Sequence, residues 1–448
     1  MSRTFAIGGV DIKDYKLSCN KAIETLPSPA LAFFPLSQHI GAPAVPVVAV
    51  GDSVKVGTLI ARGESVMSAS IHSSVCGVVK KIDAVQSVNG TNVPAIVIES
   101  SGDAEEWESE IDRSADVISE CALSAEQIVD RIRNAGIVGL GGACFPTHVK
   151  LVPPKDCKID SLIINGVECE PFLTADHRLM LEHSAEIVVG IEILKKALDV
   201  NIAYLGIESN KKDAIGLYDR LFSGRKDIKV VKLKKKYPQG GEKQLIDAVL
   251  GRRVPNPPAL PANVGVVVEN VATVYAVYQA VQKNHPLIDR VVTVSGTDVQ
   301  NPCNLLVRLG TPVSQLIEKA GGVPQDTAKI LHGGPMMGKV IQSTDIAVTK
   351  GTGGIVMLTV EQSKRKPEMN CVRCAKCVEA CPMGLEPYLL ARCAKEQNWD
   401  YAAECGIMSC IECGCCQSTC PSMRPLLDWV RYTKSKVGAI IRERNNKK

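Results

Sequence analysis

Between residues 36 and 100 the apolar positions come in short β-branched runs, VPVVAVGDSVKVGTLIA, SASIHSSVCGVVKKID and VPAIVIES, cut by Gly, Asp and Ser. Strands of that length with frequent turn signals predict a small β-barrel or sandwich. Residues 101–120 turn acidic and Ser-rich, which predicts an exposed linker. A helix then begins at a capping box of Ser124 and Gln127, places Ile128, Val129 and Ile132 on one face, and stops at Gly136. Beyond it the period changes. SLIIN (161–165), IAYLGI (202–207), IKVVKL (228–233) and VGVVVEN (264–270) read as buried strands separated by helical segments such as AEIVVGIEILKKAL. That alternation predicts an α/β domain with a largely parallel sheet over 121–285.

From 289 to 362 the pattern is strand, hairpin around Gly296–Asp298, strand, and a helix capped by Thr311 with Pro312 at its first position and Gly321-Gly322 at its end. This predicts a small α+β domain of β-grasp type. A basic linker, KRKP at 364–367, leads into a cysteine-rich domain over 367–424, and residues 425–448 read as an amphipathic basic helix that docks on a domain. With an N-terminal segment over 1–35, the fold class is multidomain α/β plus α+β. A length of 448 residues accommodates this set at ~150 residues per domain.

Composition changes the picture in three places. The formal net charge of +4 gives no reason to invoke nucleic acid, and the run KLKKK at Lys232–Lys236 and the tail RERNNKK read as solvated surface. No apolar run approaches the ~18 residues needed to span a bilayer, so membrane association is expected to be peripheral or through a partner. Eighteen cysteines could mean disulfides, but eight fall in one repeated spacing and MSRTFAIGGVDIKDYK has no apolar signal core, which points to a reducing cytoplasm.

The repeated spacing is CVRCAKCVEACP and CIECGCCQSTCP, each C-x2-C-x2-C-x3-C-P. Two intervening residues let the chain curl around a cube of sulfides, and the proline stops the loop after the last ligand. In a bacterial two-cluster ferredoxin, three cysteines of such a run bind one [4Fe–4S] cluster and the fourth binds the other. The expected sets are Cys371, Cys374, Cys377 and Cys420 for one cluster, and Cys410, Cys413, Cys416 and Cys381 for its partner. Zinc would leave the fourth cysteine and the proline of each block unexplained. Cys405, Cys410 and Cys413 also fit a plant-type C-x4-C-x2-C start, which accounts for neither Cys416 nor Cys420. His72 and Cys76 lie in strand pattern and read as sheet residues, not metal ligands.

A glycine-rich loop, Gly139-Leu-Gly-Gly-Ala-Cys-Phe-Pro-Thr-His-Val-Lys150, lies between the capped helix and the first α/β strand. Its glycines could bring backbone N–H groups to a phosphate with Lys150 as countercharge, or could simply form a structural turn. It is not the dinucleotide fingerprint, because it follows a helix and lacks G-x-G-x-x-G.

Resemblance adds to these readings. VGDSVKVGTLIA followed by GVV resembles a biotinyl/lipoyl-type barrel-sandwich domain, but the hairpin tip Glu64-Ser-Val-Met-Ser68 lacks the carrier lysine, which implies a structural or docking module. GLGGACFPTHVK is similar to the GRGGAGFPTGLK loop of the flavin-bearing, NADH-oxidising subunit of respiratory complex I. NGVECEP (165–171) looks like that family's NADESEP, Tyr237-Pro-Gln-Gly-Gly-Glu242 its Y-x-x-G-E-E, and Glu269-Asn-Val-Ala-Thr273 its N-N-V-E-T. The order barrel-sandwich, flavin-type α/β, β-grasp of the soluble-ligand-binding kind (SLBB) and two [4Fe–4S] clusters resembles the RnfC family of Rnf complexes. FPLSQHIGAPAVPVVAVGD and HGGPMMG (332–338) look like it too. The chain departs from those patterns where GGVDIKDYK lacks HPP after the paired glycines, where Leu140 replaces the loop arginine, and where Gly241 replaces the first glutamate of Y-x-x-G-E-E.

The resemblance implies FMN with its phosphate at Gly139, Gly141, Gly142 and Lys150, and with Asn165, Glu168, Asn270 and Thr273 near the ribityl chain and ring. It implies Phe145 stacked on the nicotinamide or adenine, Glu170 and Glu242 on the dinucleotide, and Tyr237 and Gly240 in the same pocket. The implied protein is a peripheral electron-transfer subunit at the cytoplasmic face of the membrane, exchanging electrons between NAD(H), FMN and two [4Fe–4S] clusters, with membrane subunits and a ferredoxin-type subunit as partners. Hydride transfer requires no side-chain acid, base or nucleophile, so no catalytic residue is expected. A soluble flavin/iron–sulfur protein feeding another reductase, or a flavin-free cluster scaffold, are the alternatives.

Overall fold

The computed structural model describes residues 2–102 and 105–446. The part that matters most is a four-stranded sheet ordered Ile228–Leu233, Ala203–Glu208, Ser161–Gly166, Val266–Asn270, with every pair parallel. Its strands are apolar throughout because both faces are covered. Leu162 and Ile164 point into the main core with Ile187 and Val274 from the helices Ser184–Leu198 and Val271–Gln282. Ile163 and Val268 point the other way, onto Leu245 and Val249 of the helix Glu242–Leu250. Strand order reverses between Ser161–Gly166 and Val266–Asn270, and a crevice opens at the carboxyl ends of such neighbours.

The helix Ala125–Asn134 carries the expected capping box and buries Ile128 and Ile132. It leads directly into the glycine loop and a single turn, Thr147–Lys150, above the crevice. Ahead of them lie two small antiparallel sheets, Leu31–Pro35/Asn92–Ser100/Gly77–Gln86/Ser53–Val54 and Val45–Pro46/Leu59–Arg62/Ile71–His72. This unit starts earlier than the residue 36 read from the sequence. Leu31–Pro35 pairs with Asn92–Ser100 and buries Ala32 and Phe34. It is an edge strand, where proline is tolerated, so Pro35 at its end costs the ladder nothing.

The β-grasp-type sheet has the order Ile23–Thr25, Cys303–Arg308, Asp289–Ser295, Gly354–Thr359, Thr327–His332, Lys339–Val340. Its first strand comes from the N-terminal segment. The helix Val313–Lys319 is capped by Pro312, not Thr311, whose hydroxyl donates back to the Arg308 carbonyl at 2.8 Å. The described part of the acidic stretch is not a free linker. Trp107 lies between the Arg113 and Arg308 guanidinium groups, 4.6 and 4.7 Å from them, and Asp112 pairs with the buried Lys283 at 2.7 Å. Residues 103 and 104 lie outside the described residues.

The cysteine-rich domain is clamped by the helix Leu426–Asn446, which packs on Pro387–Glu396. The chain's first residues run between this domain and the parallel sheet. Arg3 bridges to Leu233, Val10 pairs with Tyr237, and Gly9 N donates to the Ala380 carbonyl at 2.9 Å. Gly8 must be glycine at φ +66°, since a Cβ there would stand 2.4 Å from the Cys381 carbonyl oxygen. Among the described residues no helix is long and apolar enough to cross a membrane.

Candidate functional site: a crevice and a thiol cavity sharing one wall

Asn165 and Asn270 are register partners at the carboxyl ends of the two strands flanking the order reversal. Asn165 Nδ2 donates to the Gly240 carbonyl at 2.8 Å. Asn270 Oδ1 caps the next helix by accepting from Ala272 N at 2.9 Å, while its Nδ2 donates to Asp176 at 2.7 Å. The glycine loop closes over this pair. Leu140 N donates to Thr273 Oγ1 at 2.9 Å and Gly139 N to the Phe145 carbonyl at 2.8 Å. A Cβ on Gly141 would lie 2.8 Å from Asn270 Cβ, whereas one on Gly142 would meet no protein atom within 4 Å. Gly139, Gly141, Gly142, Asn165, Gly240, Asn270 and Thr273 therefore converge on one crevice. Phe145 joins through its backbone, its ring half-buried.

Charge is concentrated beneath the loop. Lys150 Nζ is 2.9 Å from Glu242 and 2.9 Å from the Val268 carbonyl. Burial works against the ammonium, but Glu269 and Glu242 hold its pKa above the ordinary lysine value. Glu269 is buried with one carboxylate oxygen unpartnered, and burial pushes its acid up to about 7 against the pull of Lys150. Glu168, at φ +48°, accepts from the backbone N–H groups of Asp176 and His177 at 2.8 and 3.3 Å. Burial, with Glu168 adding to it, pushes Asp176 up to about 7. Lys16 holds the Glu168 loop from outside, donating to the carbonyls of Glu168, Glu170 and Leu173 at 2.8, 2.9 and 2.6 Å.

Glu170 is not presented to the crevice. Its two oxygens accept from Met336 N and Met337 N at 3.1 and 2.8 Å, and burial pushes it up to about 7. It clamps the HGGPMMG loop, where a Cβ on Gly334 would lie 2.2 Å from its carboxylate.

In the cysteine-rich domain one apolar cavity is lined by Cys381, Cys410, Cys413 and Cys416, walled by residues including Leu385, Leu390 and Val430. Burial, with the neighbouring thiols adding to it, pushes Cys416 up to about 12 and Cys410 to about 11. Backbone N–H groups of Leu385 and Glu412 point at the Cys381 and Cys410 sulfurs, each at 3.3 Å. Cys371, Cys377 and Cys420 form a second neighbourhood: burial raises the Cys377 thiol, and Cys420 and Cys371 raise it further. Cys371 and Cys374 are exposed. Cys405 instead packs with Cys393 in the helical insert, outside the cavity. Among the described residues no group of three or more His, Cys, Asp or Glu closes on a single metal ion. The four-thiol cage with inward N–H groups suits a larger polynuclear cluster.

Crevice and cavity are back to back. Tyr237 packs with Val10, Ala380, Cys413 and Cys415, and Gln244 Nε2 donates to the Pro382 carbonyl at 3.2 Å.

Residues 4–103 match the RnfC barrel sandwich hybrid domain, 132–279 the Nuo51 FMN-binding domain and 291–340 the SLBB domain. The chain is 45% identical over 430 residues to the RnfC-type component of the proton-translocating ferredoxin:NAD(+) oxidoreductase complex of Clostridium ljungdahlii, covering 96% of this chain and 93% of that one. The chain belongs to the RnfC family. Other RnfC relatives are the corresponding components of the Na(+)-translocating ferredoxin:NAD(+) oxidoreductase complex of Acetobacterium woodii, 40% identical over 93% of each chain, and of the ion-translocating oxidoreductase complex of Rhodobacter capsulatus, 41% identical over 97% of this chain and 84% of that one. The barrel-sandwich, complex I flavoprotein-like and SLBB parts expected of an RnfC chain are all present.

Sequence reasoning missed Asp176, Glu269, Lys16 and Gln244 as parts of the site. Each acts through a partner far along the chain, and only Glu269, inside the ENVAT stretch, carried any local signal.

Proposed function

We propose that the crevice holds FMN, that NAD(H) reaches it beside Glu242, and that two [4Fe–4S] clusters occupy the two cysteine sets, Cys381 with Cys410, Cys413 and Cys416, and Cys420 with Cys371, Cys374 and Cys377. As a member of the RnfC family, the chain is a peripheral electron-transfer subunit of an ion-translocating Rnf-type NAD oxidoreductase. Its place is the cytoplasmic face of the membrane, against the membrane subunits and a ferredoxin-type subunit of the complex. The observation that carries the finer reading is the wall shared at Tyr237 and Gln244 by the crevice and the four-thiol cavity.

FMN, when bound, accepts electrons as a hydride pair and releases them singly, which joins nicotinamide chemistry to one-electron centres. The chain's own residues do the positioning. Gly141 and Gly142 leave room for a phosphate and present backbone N–H groups to it, and Lys150 supplies the countercharge from beside Glu242. Asn165, Asn270, Glu168 and Thr273 line the ribityl and ring region. Phe145, Tyr237 and Gly240 complete the pocket. Glu170 serves by holding the 336–337 loop against the pocket's outer side. The N–H groups at Cys381 and Cys410 stabilise charge on cluster sulfur, and the apolar wall sets the dielectric around it.

Anaerobically purified protein tests this directly. A flavin absorption band together with about eight irons per chain, both bleached by NADH, is the expected result. Iron without flavin would leave only a cluster scaffold.

A further inference from the structure

The two cysteine sets face different surroundings. The cavity of Cys381, Cys410, Cys413 and Cys416 is walled by the parallel-sheet domain through Tyr237 and Gln244, while Cys371 and Cys374 lie exposed on the opposite side. Around them is an apolar spot of Met369, Val372 and Tyr388, with exposures of 57%, 66% and 39%. Residues 364–376 are exposed and carry Lys364, Arg365, Lys366, Arg373 and Lys376 against one acid, Glu368, which is itself engaged by Lys395 and Arg424 at 3.6 and 3.5 Å. Glu379 and Glu386 are the other nearby carboxylates, Glu386 beside the Tyr388 hydroxyl at 3.4 Å. An apolar centre with a charged rim is the anatomy of a small protein interface, and the low end of interface size belongs to redox encounters.

We propose that this rim is a docking surface for an acidic one-electron carrier protein, one that presents carboxylates around its own redox centre to the exposed Cys371/Cys374 loop. The inference rests on the cluster reading above and adds to it the partner's chemistry and its place of contact. One electron passes at this surface: the carrier's reduced centre loses it and the outer centre of this chain gains it, with no bond or proton transferred. Lys364, Lys366 and Lys376 make no ion pair among the described residues, so their charge is available to a partner. Unpaired like charges around an exit point speed encounter by 10- to 10³-fold, an effect on the order of that seen for steered association, and one that salt erases.

The test is stopped-flow reduction of the full, cluster-loaded chain by a reduced, strongly acidic two-cluster ferredoxin, at several ionic strengths, for wild type and for K364E/K366E/K376E. K226E/K229E/K234E, on the far domain, serves as control. The expected result is a wild-type and control rate that falls steeply with salt, and a triple variant slower by about tenfold or more at low salt with a flat salt profile. Its iron content and NADH-driven ferricyanide reduction should be unchanged. A variant with full iron and wild-type rate and slope overturns the docking proposal while leaving the cluster reading intact. Wild-type chain without iron overturns both. If the variant keeps its ferredoxin rate but loses co-sedimentation with phosphatidylglycerol vesicles, the rim is a lipid surface and the proposal is overturned.

Discussion

The Cys415 thiol points at the Tyr237 carbonyl oxygen, 3.8 Å away, and is fully buried between the two cofactor regions. Its neighbours in sequence, Cys413 and Cys416, line the thiol cavity, and Cys415 does not. Cys416→Ser is therefore expected to cut bound iron from about eight to about four per chain, whereas Cys415→Ser keeps all of it. Iron and acid-labile sulfide analysis separates the two, and equal iron loss in both would remove the assignment of Cys415 as a packing residue.

Gly142 offers a steric test of the phosphate site. Its added Cβ meets no protein atom, so Gly142→Ala should leave the unfolding midpoint of the flavin-free chain unchanged while lowering flavin content. Gly141→Ala, whose Cβ crowds Asn270, should lower both. Retention of full flavin by Gly142→Ala would mean that no ligand approaches the loop there.

Glu242 and Lys150 pair at 2.9 Å with both side chains partly open to solvent. Glu242→Ala should weaken NADH-driven reduction without changing bound iron, and Lys150→Met should release flavin, since the cation is the loop's countercharge and the partner of Glu269. Steady-state kinetics with NADH alongside a flavin assay distinguishes these roles; equal NADH rates in Glu242→Ala would count against it.

Burial raises Glu269 from the ordinary 4.5 to about 7. Between those values the folded chain keeps a proton that the unfolded chain has released, so this group makes stability fall as pH rises from about 4.5 to about 7 and level off above it. Glu269→Gln should remove that part of the slope. Denaturant midpoints measured over the same pH window provide the check, and an unchanged slope would show that Glu269 titrates normally.

Asn270 is both a helix cap and the partner of Asp176. Asn270→Ala should destabilise the chain by about 1 kcal/mol through the lost cap and release flavin as well. Asn270→Asp keeps the cap but sets a carboxylate against Asp176, so it should fold and still bind flavin poorly. Thermal unfolding read beside flavin fluorescence tells the cap from the site.

The sequence by itself determined what depends on neighbours a few residues apart. The Ser124–Gln127 box, the doubly covered strands and the two cysteine blocks are local patterns whose chemistry is complete within one turn or one loop, and they appear where the pattern put them. Only the tertiary structure decided which distant groups meet. Asn165 and Asn270 face each other across 105 residues, Glu170 turns from the crevice to the backbone of Met336 and Met337, and residues 3–10 thread between two domains. The reason is physical: spacing fixes the conformation a short segment prefers, but a buried polar group takes whichever partner the packing of separate segments delivers, and leaving it unsatisfied is what the fold avoids.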